Sequence, residues 1–324
     1  MTKHKLKYCY QCKKKTTHKL YFFAKNPDFP SRKKIPLIQC KQCKLIISDL
    51  NKSVAINSKQ YDVQYYGYPR QASFINKIFQ EIFNFERKQQ AIFGKKVRDL
   101  LDYGCGTASF LMSLPSQITR YGFETSKEAI QEIKRNRASN VKILKKACIS
   151  TYKYDVITFW QSLEHIKNPV SLLARIPKLL RDDGYVFISV PNIHSLQARI
   201  FRSNWFHLDP KRHLTHFCPQ TLINTLKKTH LKLDSINTFS FEYGVFGWWQ
   251  SIFNSLGLEF NMGYKVLKRK VRYSKNIKIL VQETIYILAG FPVAVVSVFM
   301  ALLEGTLGMG AVLQVKARPA KEID

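Results

Sequence analysis

The sequence predicts an α/β fold: a mostly parallel sheet sandwiched by helices, with a small cysteine module before it and an apolar helical insertion near its end. Three observations predict it. A buried-strand run, Lys96 to Tyr103, passes through Asp102 into the turn Gly104-Cys105-Gly106 and then a helix. Strand-like and helix-like segments then alternate at a spacing that suits parallel crossover units. Two Cys-x-x-Cys pairs stand near the start, and Thr284 to Leu303 is 20 residues without a charge.

The elements follow in order. Residues 71–93 place Phe74, Ile75, Ile78, Phe79, Ile82 and Phe83 at helical spacing, which predicts a core-facing helix leading into the first core strand. Only glycine lets a backbone turn as sharply as residues 104–106 require and lie flat against a ligand. Asp102 stands at the strand end, where an acid holds an amine or a ribose; this is a nucleotide-type cofactor site at the carboxyl edge of a parallel sheet. A second strand, from Arg120, ends in Glu124, 18 residues past Gly106, where a dinucleotide fold puts the carboxylate for ribose hydroxyls. Ser126 caps a helix to about Ala138, and Val141 to Ala147 is a third strand. Tyr154 to Trp160 is the fourth, followed by Gln161-Ser162-Leu163-Glu164-His165-Ile166. Asn168-Pro169 opens a helix that stops at Asp182-Asp183-Gly184, and Tyr185 to Val190 is a fifth, wholly apolar strand.

The Asp-x-Gly-x-Gly run at 102–106, the acid Glu124 and the Glu164-His165 pair after strand four resemble the class I S-adenosylmethionine-dependent methyltransferases. The resemblance covers about Lys96 to Phe241 and returns at the C-terminus. It implies a Rossmann-like methyltransferase sandwich with a seven-stranded sheet and S-adenosylmethionine as cofactor. It implies that Gly104 and Gly106 cradle the methionine part, Asp102 holds its amino group and Glu124 holds the ribose, with Cys105, Thr125 and Gln161 at the same site. The tyrosine-rich stretch 51–70, with Tyr61, Tyr65, Tyr66 and Tyr68, is implied to lie over the cofactor as a lid, Tyr66 among its contacts. Hydrophobic packing of the cysteine module onto the core is the competing reading. Lys146-Ala147-Cys148 stands where related enzymes often carry an adenine-binding Asp, so that contact is unassigned. NAD is the rival cofactor. Its sites want a third glycine and a pyrophosphate at the helix N-terminus, whereas Ala108 holds the third position here.

Composition bounds the partners. The 324 residues suit one large domain or two modest ones, and a hydrophobic fraction of 45% supports a full core. Lys and Arg number 52 against 22 acids, a net charge of +30, which favours nucleic acid, anionic lipid headgroups or phosphate-bearing substrates. A lysine bias spread over a solvated surface is the bland alternative. Two clusters argue for position: residues 1–60 hold 15 Lys/Arg against Asp28 and Asp49, and residues 265–278 hold seven and no acid. The basic, polar start carries no secretory signal, which places the chemistry in the cytoplasm. Seven cysteines there read as metal ligands or buried thiols rather than disulfides.

Cys9-x-x-Cys12 and Cys40-x-x-Cys43 are two knuckles of one tetrahedral site, closed to chemistry, for a structural Zn2+. Tyr21-Phe22-Phe23 and Leu37-Ile38 supply hairpin strands between them. His18 is a poorer ligand, and Cys105, Cys148 and Cys218 lie apart from any pair. The chain divides into a zinc-ribbon-like module (1–50), a tyrosine-rich lid and entry helix (51–95), a methyltransferase core (96–244), a basic and apolar helical insertion facing a membrane (245–307) and the last core strand (308–320).

Methyl transfer to a hydroxyl needs the nucleophile held near the methyl carbon and its proton removed. Two histidine segments follow strands four and five. His165 belongs to the first, where a loop-capping histidine is the competing reading. The second, Trp205 to Phe217, carries His207, Asp209, His213 and His216. His213 is the preferred general base and Asp209 its orienter, with His207 and His216 as second choices. A divalent metal or a loop-ordering hydrogen-bond network are alternatives for the same cluster. After strand four there is neither the Asp/Asn-Pro-Pro-aromatic motif of base amino methylation nor the Pro-Cys of cytosine C5 methylation.

The uncharged run from Thr284 is long enough to cross a bilayer, with the basic residues 265–278 before it as a cytoplasmic flank. Gly310 to Ala317 reads as the last strand, pairing near Leu231–Phe241, so both flanks of the run belong to one sheet and a single crossing is excluded. Gly290-Phe291-Pro292 supplies a break for a re-entrant hairpin or interfacial helices, with Trp248 and Trp249 at headgroup level and the basic run on anionic lipid. A helical cap shaping an apolar substrate pocket is the alternative. The expected function is O-methylation of a small hydroxylated, glycan-precursor or lipid-linked acceptor at the cytoplasmic face of a membrane. An RNA methyltransferase and a non-catalytic cofactor-binding module are the runners-up.

Overall fold

A computed structural model describes residues 5–25, 34–50, 74–136, 140–263 and 277–320. The lid stretch with Tyr66 and most of the basic run lie outside them. The cysteine module contributes strands β1 (Lys5–Cys9), β2 (Lys14–Lys25), β3 (Lys34–Cys40) and β4 (Ile46–Ser48). Helix α1 (Phe74–Ile92) leads into β5 (Asp99–Tyr103), α2 (Ser109–Ser113), β6 (Thr119–Phe123), α3 (Lys127–Arg135) and β7 (Val141–Ile143). Then come β8 (Tyr154–Trp160), α4 (Pro169–Leu173), α5 (Ile176–Leu179), β9 (Leu180–Pro191) and α6 (Leu196–Phe201). The chain closes with β10 (Thr215–His216), α7 (Pro219–Lys228), β11 (Leu231–Asn237), α8 (Phe241–Ser255), α9 (Ile277–Thr306) and β12 (Val312–Pro319).

Seven strands form the main sheet in the order β11-β12-β9-β8-β5-β6-β7. The five from β9 to β7 are parallel, and β12 runs antiparallel between β9 and β11. Leu100, Leu101, Val156, Ile157 and Phe159 are fully buried, as strands covered on both faces require. The order reverses between β5 and β8. Their carboxyl ends therefore open a crevice, the general place for a ligand in such sheets.

Four local expectations change. Within α1, Ile82 and Phe85 are exposed while Asn84 and Ala91 are buried. Polar anchors set this rotation: Arg87 reaches Glu242 at 2.8 Å and Asn84 donates to Ser109 Oγ at 3.0 Å. β7 stops at Ile143, and Lys146–Thr151 is a 3-10 turn. The helix opened by Asn168, whose side chain caps Ser171 N at 3.0 Å, breaks into α4 and α5, and the chain is already extended at Leu180. Asp182-Asp183-Gly184 thus lies inside β9. Gly184 is needed there because a Cβ would stand 2.9 Å from the Tyr154 carbonyl oxygen.

The last change is larger. Helix α9 runs unbroken from Ile277 to Thr306 with Pro292 inside it, so residues 290–292 make no reversal and there is no re-entrant hairpin. Trp248 is 3% exposed and packs edge-on against Phe201, which removes it from any headgroup position. Trp249 packs on Phe253 and Tyr286 and donates Nε1–H to the Gly290 carbonyl at 3.0 Å.

The cysteine module is docked by a shared sheet of order β1-β2-β3-β4-β10, whose fifth strand comes from the histidine loop. Leu37 and Ile46 join Trp205, Leu208 and Cys218 in one buried cluster. Lys228 Nζ adds a hydrogen bond to the Gln11 carbonyl at 2.8 Å.

Gly122 pairs with Asp102 across β5 and β6. A Cβ there would lie 2.8 Å from Cys105 Sγ, 2.9 Å from Ile143 Cδ1 and 3.1 Å from Leu111 Cδ1. Gly122→Val is therefore expected to lower stability by about 2 kcal/mol through overpacking, and to displace the glycine turn. Denaturant unfolding checks it; an unchanged midpoint contradicts the packing.

Candidate functional site

The crevice at the ends of β5 and β8 holds the sequence-predicted cofactor residues. Gly104 and Gly106 adopt positive φ, +83° and +56°. A Cβ on Gly104 would stand 2.7 Å from Ser162 Cβ, so the turn lies against the β8 loop as well as needing a left-handed backbone. Ala108, where NAD sites want glycine, also has positive φ, at 61°. Asp102 is buried and accepts from Thr158 Oγ1 at 2.8 Å. Burial pushes its carboxyl up to about 7. Glu124 reaches back across the turn: its Oε2 accepts from Gly106 N at 2.9 Å and its Oε1 from Thr125 N and Ser126 N at 2.6 and 2.8 Å. Cys105 is buried beneath the turn. Gln161, also at positive φ, donates to Ser189 Oγ at 3.1 Å.

Ser162 joins this cradle to the histidine loop. Its Oγ donates to the Tyr103 carbonyl at 2.6 Å, and Glu164 follows two residues later. The Glu164 carboxyl is 1% exposed, and neither oxygen has a hydrogen-bond partner among the described residues. Burial pushes it up to about 8. His213 Nε2 lies 4.0 Å from Glu164 Oε1, and His213 Nδ1 is buried without a partner. Burial and the neighbouring histidines hold His213 well below the ordinary imidazole range. Glu164, His165 and His213 bring three ligand-type atoms within 4.8 Å of one another, a set that also suits a divalent ion.

The other histidines are tied to backbone or loop. His165 Nδ1 pairs with the Arg212 carbonyl at 3.1 Å, His207 Nε2 with the Tyr243 carbonyl at 2.8 Å, and His216 Nε2 with Ser48 Oγ at 3.0 Å. Asp209 binds Arg212 through both oxygens, at 3.1 and 3.2 Å, so its carboxylate faces Arg212 rather than the His213 ring. A second buried group borders the site, unseen from sequence. Arg87 NH2 contacts both Glu242 oxygens and the Tyr243 hydroxyl at 2.8–2.9 Å, and the guanidinium carbon lies 5.7 Å from the Trp160 ring centroid. Partners 155 residues apart leave no local signal, whereas Glu164 was legible as the neighbour of His165.

At the module, the sulfurs of Cys9, Cys12, Cys40 and Cys43 all lie within 4.8 Å of one another. Cys9 to Cys43 is 3.4 Å and Cys12 to Cys40 is 3.9 Å. The hydrogen bond from Cys43 pulls the Cys9 thiol down to about 5, and the same bond raises Cys43.

A family model described as a methyltransferase domain matches residues 68–236, just over half of the chain. A ubiquinone biosynthesis O-methyltransferase of Glaesserella parasuis is 33% identical over 120 residues, 32% of this chain and 49% of that one. Its namesake in Photobacterium profundum is 27% identical over 158 residues, 44% and 65% of the two chains. The chain spans about half the length of most of the curated relatives it matches. A crystal structure of coclaurine N-methyltransferase bound to N-methylheliamine and SAH aligns with a TM-score of 0.43 at 16% identity, over 78% of this chain and 73% of that one.

Burial also lowers His207 to about 4 and His216 to about 3. An unfolded histidine titrates near 6.5. Below that pH the unfolded chain takes up protons that the native rings refuse, so this stability is present above about pH 6.5 and drains away as pH falls. By pH 4 the His207 contribution lost is roughly 3 kcal/mol. Denaturant midpoints measured from pH 7 to about 4 are expected to fall steadily. His216→Gln should flatten that slope, and a flat wild-type profile contradicts the assignment.

Proposed function

We propose, on the premise that this chain belongs to the methyltransferase-domain family, that it is an S-adenosylmethionine-dependent O-methyltransferase. Its acceptor is a small hydroxylated, glycan-precursor or lipid-linked molecule, met in the cytoplasm or at the cytoplasmic face of a membrane. One observation carries the reading: a buried His213 ring with Nε2 4.0 Å from the Glu164 carboxyl and Nδ1 unbonded, on a loop tied through Ser162 to a glycine cradle. The relatives that transfer to oxygen support a hydroxyl acceptor.

The cradle fits the cofactor. Its two left-handed glycines put no side chain over the turn, and Asp102, Gly104, Cys105, Gly106, Glu124, Thr125 and Gln161 would hold it; Tyr66, assigned to the lid, lies outside the described residues. The bound cofactor supplies an electrophilic methyl carbon. The chain supplies proton control. Burial keeps His213 unprotonated and ready to accept the acceptor's hydroxyl proton at Nδ1. Glu164 takes the orienting role expected of Asp209: its carboxyl stands 4.0 Å from His213 Nε2, where its ionised form would stabilise the imidazolium that proton uptake creates. Asp209, His165 and His207 hold the loop in place, as their bonds to Arg212 and Tyr243 describe.

The four cysteines fit a structural Zn2+. Sulfurs around a tetrahedral zinc stand about 3.8 Å apart, given a bond of about 2.3 Å. The observed 3.4 and 3.9 Å bracket that value. The ion would close the module whose β4 holds the histidine loop. An RNA acceptor is the second reading, favoured by the 15 basic residues within 1–60, and its mark is RNA binding that falls steeply with salt.

Labelled-methyl transfer into separated lipid, glycan, small-molecule and RNA fractions tests the function. His213→Gln and Glu164→Gln should each lower kcat by roughly 10²-fold or more while the heat of cofactor binding is kept. Glu124→Ala should lose that heat. Full turnover in both loop variants contradicts the proton assignment; no heat in the wild type contradicts the cofactor. For the module, Cys40→Ser is expected to cut zinc content by metal analysis and to lower the melting temperature; equal zinc in the two proteins contradicts the ligand set.

A further inference from the structure

From Tyr286 to Glu304 helix α9 has two unlike faces. Tyr286, Ser297, Ala301 and Glu304 are buried at helical spacing. The Tyr286 and Phe253 rings are 4.2 Å apart, Trp249 binds the Gly290 carbonyl, and a Cβ on Gly244 would lie 3.1 Å from Ala301 Cβ. Glu304 accepts from Gln197 at 2.8 Å. One face is therefore fastened to α8 and α6 from Tyr286 to Glu304. The opposite face is open: Phe291 is 79% exposed, Ile287 78% and Leu288 74%, with Val295, Phe299 and Leu302 continuing the stripe. Val281–Thr306 is long and apolar enough to cross a bilayer, and only 17% of its 18-residue apolar stretch is buried. An apolar stripe of this extent marks a binding surface.

Crossing does not fit the fastening. A helix of 30 residues is about 45 Å long, and spanning would expose its inward Ser297 and Glu304 to hydrocarbon after tearing it from α8. The chain also returns at once: Leu196 N binds the Met309 carbonyl, Asn192 Nδ2 binds the Gly310 carbonyl, and β12 pairs with β9. The helix therefore lies along a surface.

The chemistry of the face selects its occupant. The open stripe consists of bulky aliphatic and phenyl side chains without a donor or acceptor, whereas protein interfaces carry about one hydrogen bond per 100–200 Å². The sequence leading into the helix, 265–278, holds seven Lys/Arg, the last of them Lys278 in its first turn, and no acid. A second copy would set one +30 chain against another. Anionic lipid matches the stripe with its acyl chains and the +30 chain with its headgroups. We propose that α9 is a monotopic anchor that lies flat in one leaflet of an anionic bilayer. Helix α8 then separates that leaflet from the histidine loop, since its Tyr243 carbonyl bonds His207. This inference goes beyond methyl transfer and stands without it.

Flotation of the full chain with phosphatidylcholine vesicles, with and without phosphatidylglycerol, tests it. The protein should float with the anionic vesicles, and the double variant Phe291→Glu/Phe299→Glu should reduce the bound fraction by about tenfold or more. Leu288→Trp, Val295→Trp and Leu302→Trp, each read above the wild-type background, should be quenched by brominated lipids at one shared shallow depth. Graded depths would mean a spanning helix and overturn the flat anchor. A wild type that stays monomeric and unbound overturns it as well. So does self-association abolished by the double variant without any vesicle binding, because a second copy would then cover the face.

Discussion

The candidate site depends on one short pairing, β4 against β10. Ser48 donates Oγ–H to the His213 carbonyl at 2.9 Å and its N–H to the Leu214 carbonyl at 3.1 Å. From the other side, Leu214 N donates to the Glu164 carbonyl at 2.8 Å. Residues 213–216 are thus clamped between the cysteine module and the loop after β8. A loop would otherwise be the mobile part of such a site; here it is a strand in a five-stranded sheet. The module is best understood as a brace. Its four sulfurs gather at the ends of β1 and β3, and its last strand pairs with the segment that follows His213.

Burial explains the electrostatics around that clamp. Asp102 and Glu164 are nearly inaccessible, so their charged forms are disfavoured, and the neighbouring imidazoles are neutral for the same reason. Such a site is at rest without charge, and any charge that a proton brings to it is felt strongly, because the local dielectric is low. The exception is Arg87, which keeps its charge by facing both oxygens of Glu242. That pair joins α1 to α8.

Helix α8 is the second shared part. Gly244 and Gly247 let it approach its neighbours: a Cβ on Gly244 would lie 3.1 Å from Ala301, and one on Gly247 would collide with Gln197 and the His207 ring. The same helix thereby touches α9 on one side and the histidine loop on the other. Trp248 fills the space between, which is why a tryptophan beside an apolar helix is core here and not a membrane marker.

Local signals determined much of this protein. The run from Leu100 to Gly106, the Ser126 cap and the paired cysteines were legible because each depends on neighbours within a few residues: a left-handed turn needs glycine, a first helical turn needs an acceptor, a knuckle needs two thiols. The apolar strands were legible because burial on both faces leaves continuous hydrophobic runs. Tertiary structure alone decided the rest. No periodicity says that Arg87 turns inward to meet Glu242, that Glu164 rather than Asp209 faces His213, or that Pro292 stays within one helix. Those outcomes follow from groups far apart in sequence sharing one dry volume, where the cost of an unpaired charge or a lost hydrogen bond overrides the preference of any single residue.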